Sequence, residues 1–130
     1  MKKTDNFLKA IKRLQEAMTE YTANTQNTVI RDGLIQRFEF TFELSWKALK
    51  EYMIDQGIKN EMQFPKQVLK TAYENRIIND EKVWLDMLEA RNSTSHIYDD
   101  KAAERIGKNI CGSYVNALSQ LEEYFENTLK

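Results

Sequence analysis

The chain is predicted to be all-α, an up-and-down bundle of four main helices plus one short helix. Apolar residues recur at threes and fours rather than twos, the period of a helix with one buried face. Only four glycines and one proline stand in 130 residues, so there are few places to turn. The apolar segments are joined by short polar stretches, the connection that neighbouring bundle helices use. With 42% hydrophobic residues, including six Phe, six Tyr and two Trp, the chain fills one ordinary core, and residues 1–130 are expected to form a single domain.

The first helix is drawn by Phe7, Ile11, Leu14, Met18 and Tyr21, which step along one stripe for about five turns. ANTQNT ends it, because Asn and Thr side chains compete for their own backbone and favour turns and caps. The second helix runs from about Val29 to Gln56. One apolar row carries Phe38, Phe42, Ser45 or Trp46, Leu49 and Met53, with Phe40, Leu44 and Tyr52 beside it. So wide a face predicts burial on more than one side. Gly57 is placed to close this helix in the left-handed conformation, and Gly33 inside it marks an expected close helix approach. Pro65 suits the first turn of a short third helix, PKQVLKTAYENRI, where its missing N–H costs nothing. Asn79 or Asp80 caps a fourth, with Val83, Trp84, Met87 and Leu88 inward. Asp99 or Asp100 caps a fifth, whose stripe of Ala103, Ile106, Ile110, Tyr114, Ala117, Leu121 and Tyr124 continues for some six turns.

Composition excludes several classes. Nineteen basic against twenty acidic residues give a net charge of −1, so a broad basic surface for nucleic acid is not expected, and any phosphate binding must be local. The single cysteine, Cys111, forms no internal disulfide and reads as a small core residue. No stretch reaches the roughly 18 apolar residues of a membrane span, and MKKTDNFLKA lacks the apolar run of a signal peptide. A cytoplasmic protein is expected. There is no Gly-rich phosphate loop, zinc spacing or serine triad, and no cofactor or metal is expected.

Chemistry concentrates in RNSTSHIYDD, residues 91–100, which holds the only histidine. On an unbroken helix Arg91 and His96 would lie about 140° apart. Asn92, Ser93, Thr94 and Ser95 have modest helix propensity and side chains that satisfy freed backbone groups, so the helix is expected to loosen here and bring the two to one side. Tyr98 follows Arg91 by close to two turns. A guanidinium forks two donors onto phosphate oxygens, and an imidazole exchanges protons at neutral pH. Metal-free RNA cleavage needs those functions: a base for the 2′-hydroxyl, an acid for the leaving 5′-oxygen, and a cation on the phosphate between. One histidine supplies one proton-transfer group per chain, so this chemistry favours a symmetric homodimer. Spacing equally fits an arginine that pairs with Glu89, Asp86 or its own helix end beside a hydrogen-bonded histidine.

RNSTSHIYD resembles the Arg-x4-His-x-Tyr signature of the HEPN superfamily of all-helical nucleotide-binding domains. FEFTFELSWKALKEYM at 38–53 and WLDMLEARN at 84–92 extend the likeness to its branch of nucleotidyltransferase substrate-binding proteins, which resembles the toxin side of HEPN and minimal-nucleotidyltransferase toxin–antitoxin pairs. The resemblance implies that Arg91 and His96 are the catalytic pair of an endoribonuclease, that Asn92 orients or contacts the phosphate, and that Tyr98 accepts AMP from a partner nucleotidyltransferase that silences the toxin. The alternative is a non-catalytic subunit that presents nucleotide or substrate to that nucleotidyltransferase.

Other candidates read as architecture. Glu39, Glu43 and Lys47 share one i, i+4 row and are expected to be an ion-paired stripe, suited to a subunit interface, rather than a Mg²⁺ site. Lys101, Arg105 and Lys108 are offset by Asp99, Asp100 and Glu104, which predicts a solvated mixed face.

Overall fold

The computed structural model describes residues 1–93 and 99–129. Among them the regular structure is helical: α1 (Lys2–Ala23), α2 (Thr28–Asp55), α3 (Pro65–Glu74), α4 (Glu81–Ser93), α5 (Asp100–Asn109), a π turn (Ile110–Tyr114) and α6 (Val115–Thr128). The α5 helix, the π turn and α6 follow one another with helical backbone at each junction and form one rod. The fold is thus the expected bundle of four main helices, with α3 the short one.

Capping chemistry sets the boundaries. The Asn27 side chain accepts from Val29 N at 3.0 Å and Ile30 N at 3.1 Å, so the ANTQNT stretch both ends α1 and starts α2. Gly57 takes φ +84, its N–H bonding Ile54 O and the N–H of Ile58 reaching back to Met53 O, each at 3.0 Å; this is the expected left-handed stop. The same motif ends α3, but there Arg76 holds the left-handed position with φ 60. The Asp80 carboxylate accepts from Val83 N at the start of α4, and Asp99 accepts from Lys101 N at 2.9 Å at the start of α5.

The long helix α2 lies at the centre, with α1 along it, α3 and α4 against its other flanks and α5 across its early turns. Aromatic rings form the spine: Phe42 lies near Trp84 of α4, Tyr114 stacks on Phe38 at 5.3 Å, and Phe125 of α6 meets Phe7 and Tyr52 edge-on. Between α1 and α6 a polar tie completes the packing. Glu122 accepts from Lys12 at 2.7 Å and from Gln15 at 3.1 Å.

One open alternative is settled and three local expectations change. Ser45, not Trp46, takes the fully buried position on the α2 row, because its hydroxyl bonds Phe42 O at 2.6 Å and needs no space. Gly33 marks no close approach: a Cβ there would meet nothing within 4 Å, whereas one on Gly107 would meet Tyr21 Oη at 3.0 Å. The last helix is not a uniform stripe. The π turn adds a residue to one turn, bonding Val115 N–H to Ile110 O, so Val115 is buried beside Ile110 and Tyr114, and Phe125 rather than Tyr124 is the buried ring. Finally, Phe40, expected within the broad apolar face, is 63% exposed in the middle of α2.

Candidate functional site

Sequence pointed to the end of α4, and the structure describes it up to Ser93. Arg91 and Asn92 are still helical there, and Asn92 is exposed. The Ser93 hydroxyl donates to Ala90 O at 2.9 Å, the backbone-satisfying bond expected of a closing turn. His96 and Tyr98, the other two residues singled out, lie outside the described residues, so their convergence on Arg91 is carried below as part of a proposal.

Arg91 is half-buried, and its Nε lies 3.8 Å from Glu43 Oε2 on α2. The other oxygen of Glu43 lies 3.7 Å from Lys47 Nζ. Of the expected stripe on α2, the Glu43–Lys47 pair forms, and spacing did not reveal its tertiary connection: Glu43 links Lys47 to the guanidinium of Arg91. A carboxylate this close to a guanidinium biases the direction of its fork.

Arg91 faces an open groove of about 430 Å³ between α1 and α4, floored by α2. Arg13, Arg37 and Phe40 also line it. Arg37 donates from Nη1 to Arg13 O at 2.8 Å, which holds its side chain along the rim. Three guanidiniums and an exposed ring thus border one groove, with Glu39 and Glu43 between them. Sequence reasoning missed Arg13, Arg37 and Phe40 because they lie on separate helices or read as core. The signal that was available is the aromatic at 40, one residue too many for the inward row.

The opposite side of α4 carries a second cleft of about 590 Å³ facing α5. Arg105 lines it among Asp86, Glu89 and Asp99, so the basic residues of α5 do not extend the positive groove; they sit on the mixed face expected for them. Burial pushes the Tyr114 hydroxyl up here, aided by Asp86, and burial likewise raises the half-buried Cys111 thiol, which argues against an activated nucleophile. Among the described residues no group of three or more His, Cys, Asp or Glu is arranged to hold a metal ion. No helix among them is long and apolar enough to cross a membrane.

Comparison with known proteins bears on the same residues. The family model described as nucleotidyltransferase substrate binding protein like matches residues 2–127. A probable ribonuclease HepT from Haemophilus influenzae is 32% identical over 101 residues, covering 75% of this chain and 68% of its own. The structure of HI0074 from Haemophilus influenzae, described as revealing the fold of a substrate binding domain of a nucleotidyltransferase, superposes with a TM-score of 0.83 at 25% identity, covering 95% of this chain and 98% of that one. A mutant of the toxin–antitoxin complex MntA–HpeT shares the fold at 15% identity and a TM-score of 0.73, over 97% and 96% of the two chains. On the family match along nearly its whole length, the chain belongs to the HEPN superfamily, in its branch of nucleotidyltransferase substrate-binding proteins.

Proposed function

We propose that the protein is the toxin of a toxin–antitoxin pair, a metal-independent endoribonuclease that works as a homodimer and is neutralised by a nucleotidyltransferase that adenylylates Tyr98. The observation that carries the reading is the Arg91 guanidinium, oriented by Glu43 and turned into a groove that Arg13 and Arg37 also border. The similarity to a probable ribonuclease HepT supports the activity, and the toxin–antitoxin complex of the same fold supports the partner.

The chemistry follows from the residue types. Arg91 holds a non-bridging oxygen of the scissile phosphate, and Asn92 adds a neutral donor beside it. One imidazole takes the proton of the 2′-hydroxyl as its oxygen bonds to phosphorus. The P–O5′ bond breaks, and the leaving oxygen takes a proton from a second imidazole, leaving a 2′,3′-cyclic phosphate and a 5′-hydroxyl. The chain has one histidine, so the second comes from a second copy. The face around Phe40 suits that contact, since an exposed ring beside Arg91 flanked by both signs of charge is self-complementary about a two-fold axis. AMP on Tyr98 would place negative charge and bulk where RNA phosphate must sit.

The test is cleavage of RNA by purified protein in EDTA. The parent is expected to release ends carrying cyclic phosphate, and Arg91→Ala or His96→Ala to lower the rate by about 10²- to 10⁴-fold. Intact mass after co-expression with the nucleotidyltransferase and ATP should show one added AMP, absent in Tyr98→Phe. RNA that stays intact, or variants that cleave like the parent, would remove the nuclease. What then stands is the second reading, a binding subunit that presents nucleotide to the nucleotidyltransferase, which the likeness to HI0074 favours.

A further inference from the structure

We infer that Arg13 and Arg37 form a second phosphate subsite, which holds the phosphate neighbouring the scissile one and makes single-stranded RNA, rather than a free nucleotide, the ligand of the groove. The inference rests on the reading of Arg91 as the holder of the scissile phosphate. Its geometric basis is that the guanidiniums bordering the groove come from opposite walls. Arg91 belongs to α4, and Arg13 to α1. Arg37 rises from the α2 floor and leans to the α1 wall, where its Nη1 donates to Arg13 O at 2.8 Å.

Both arginines are exposed, and a hydrogen bond to a backbone oxygen sets the direction of Arg37 without cancelling its charge. The carboxylate of Glu16 stands 4.0 Å from the same Nη1 with its side chain 73% exposed, an ion pair weak enough to open for a phosphate. Two acidic residues line the groove. Glu43 is engaged by Arg91 and Lys47, and Glu39 offsets part of the positive charge. Spacing then selects the ligand. Arg37 and Glu43, the residue that meets Arg91, are six residues apart on α2, about 9 Å along the axis at ~1.5 Å per residue. Adjacent phosphates of a nucleoside triphosphate share a bridging oxygen and lie far closer than that. Successive phosphates of an RNA strand have a whole ribose between them, which suits the wider gap. With the second copy set against Phe40, two-fold symmetry adds another such pair, so the run of phosphate contacts crosses the subunit boundary.

Binding is separated from cleavage by 2′-O-methyl RNA, which lacks the attacking hydroxyl. Fluorescence anisotropy of a short labelled strand over a salt series is compared in the parent, Arg13→Gln, Arg37→Gln, Glu39→Gln and Lys70→Gln, the last on α3 outside the groove. All four positions are on the surface, and circular dichroism checks that each variant is folded. Each arginine variant is expected to bind about 3- to 10-fold more weakly and to reduce the slope of log affinity against log salt by about 0.7, one single-strand phosphate contact. Glu39→Gln should bind more tightly, and Lys70→Gln like the parent. A 2′-O-methyl dinucleotide, with its single phosphate, should be bound equally by the parent and Arg37→Gln. A parental slope in either arginine variant, an equal loss in Lys70→Gln, an equal loss for the dinucleotide, or ATP held through Arg37 more tightly than the strand overturns the inference. A parent that cleaves RNA while the variants keep its slope loses the subsite and keeps the nuclease. A parent that cleaves no RNA while the arginines still set the slope keeps the subsite and loses the nuclease.

Discussion

At the scale of single residues, the helix glycines separate two effects that sequence treats alike. Both Gly33 and Gly107 cost helix propensity, about 1 kcal/mol relative to alanine. A methyl on Gly33 enters open space, whereas one on Gly107 comes to 3.0 Å from the hydroxyl and 3.2 Å from Cζ of Tyr21, a ring that is itself buried and would have to shift. Gly33→Ala is therefore expected to stabilise by about 1 kcal/mol and Gly107→Ala to destabilise by a similar amount, as overpacking outweighs propensity. Urea unfolding reads both, and shifts of the same sign would contradict this packing. Tyr52 offers a second test. Burial, with help from the hydrogen bond to Tyr124 at 3.0 Å, pushes its hydroxyl from 10 up to about 12. An unfolded tyrosine ionises near 10, so this contribution is complete below pH 10 and is lost as pH rises from 10 to about 12. Thermal melts at pH 9 and 11 should show that loss in the parent and a smaller one in Tyr52→Phe.

At the scale of elements, helix ends carry the strain and the caps. Gly57 and Arg76 close α2 and α3 with the same hydrogen-bond pattern, but only glycine adopts positive φ at no steric cost. Arg76→Gly is expected to stabilise by about 1 kcal/mol, and Gly57→Ala to destabilise by about as much, both read from urea midpoints. The cap of α2 behaves as local chemistry requires. Asn27→Ala removes an acceptor shared by two N–H groups and should cost about 1 kcal/mol. The π turn in the last rod is the one irregularity that periodicity hid. A single added residue leaves threes and fours intact on each side, so the stripe read from sequence runs through it and drifts by one position at Phe125.

At the scale of the whole molecule, the proposed chemistry needs two copies. Phe40 lies beside Arg91 on the groove and is already exposed, so replacing it should leave the folded chain within about 0.5 kcal/mol of the parent. Phe40→Glu is expected to halve the mass seen by sedimentation and to abolish cleavage while circular dichroism is unchanged. A variant that stays dimeric and active would move the subunit contact elsewhere.

Helix number, order and most of the core came from the sequence alone. Periodicity and caps are local, and Asn27, Gly57, Pro65 and Asp99 act within a few residues of where they stand. The arginine of the motif was legible for the same reason, as one residue of a short pattern at a helix end. Its surroundings were not. Glu43 is 48 residues from Arg91 and Asp100 is 69 from Arg31, and nothing in a spacing rule reports which of many surface charges will meet. Only the packing of α4 and α5 on α2 decided that, because a helix presents several charged rows and tertiary contact selects one.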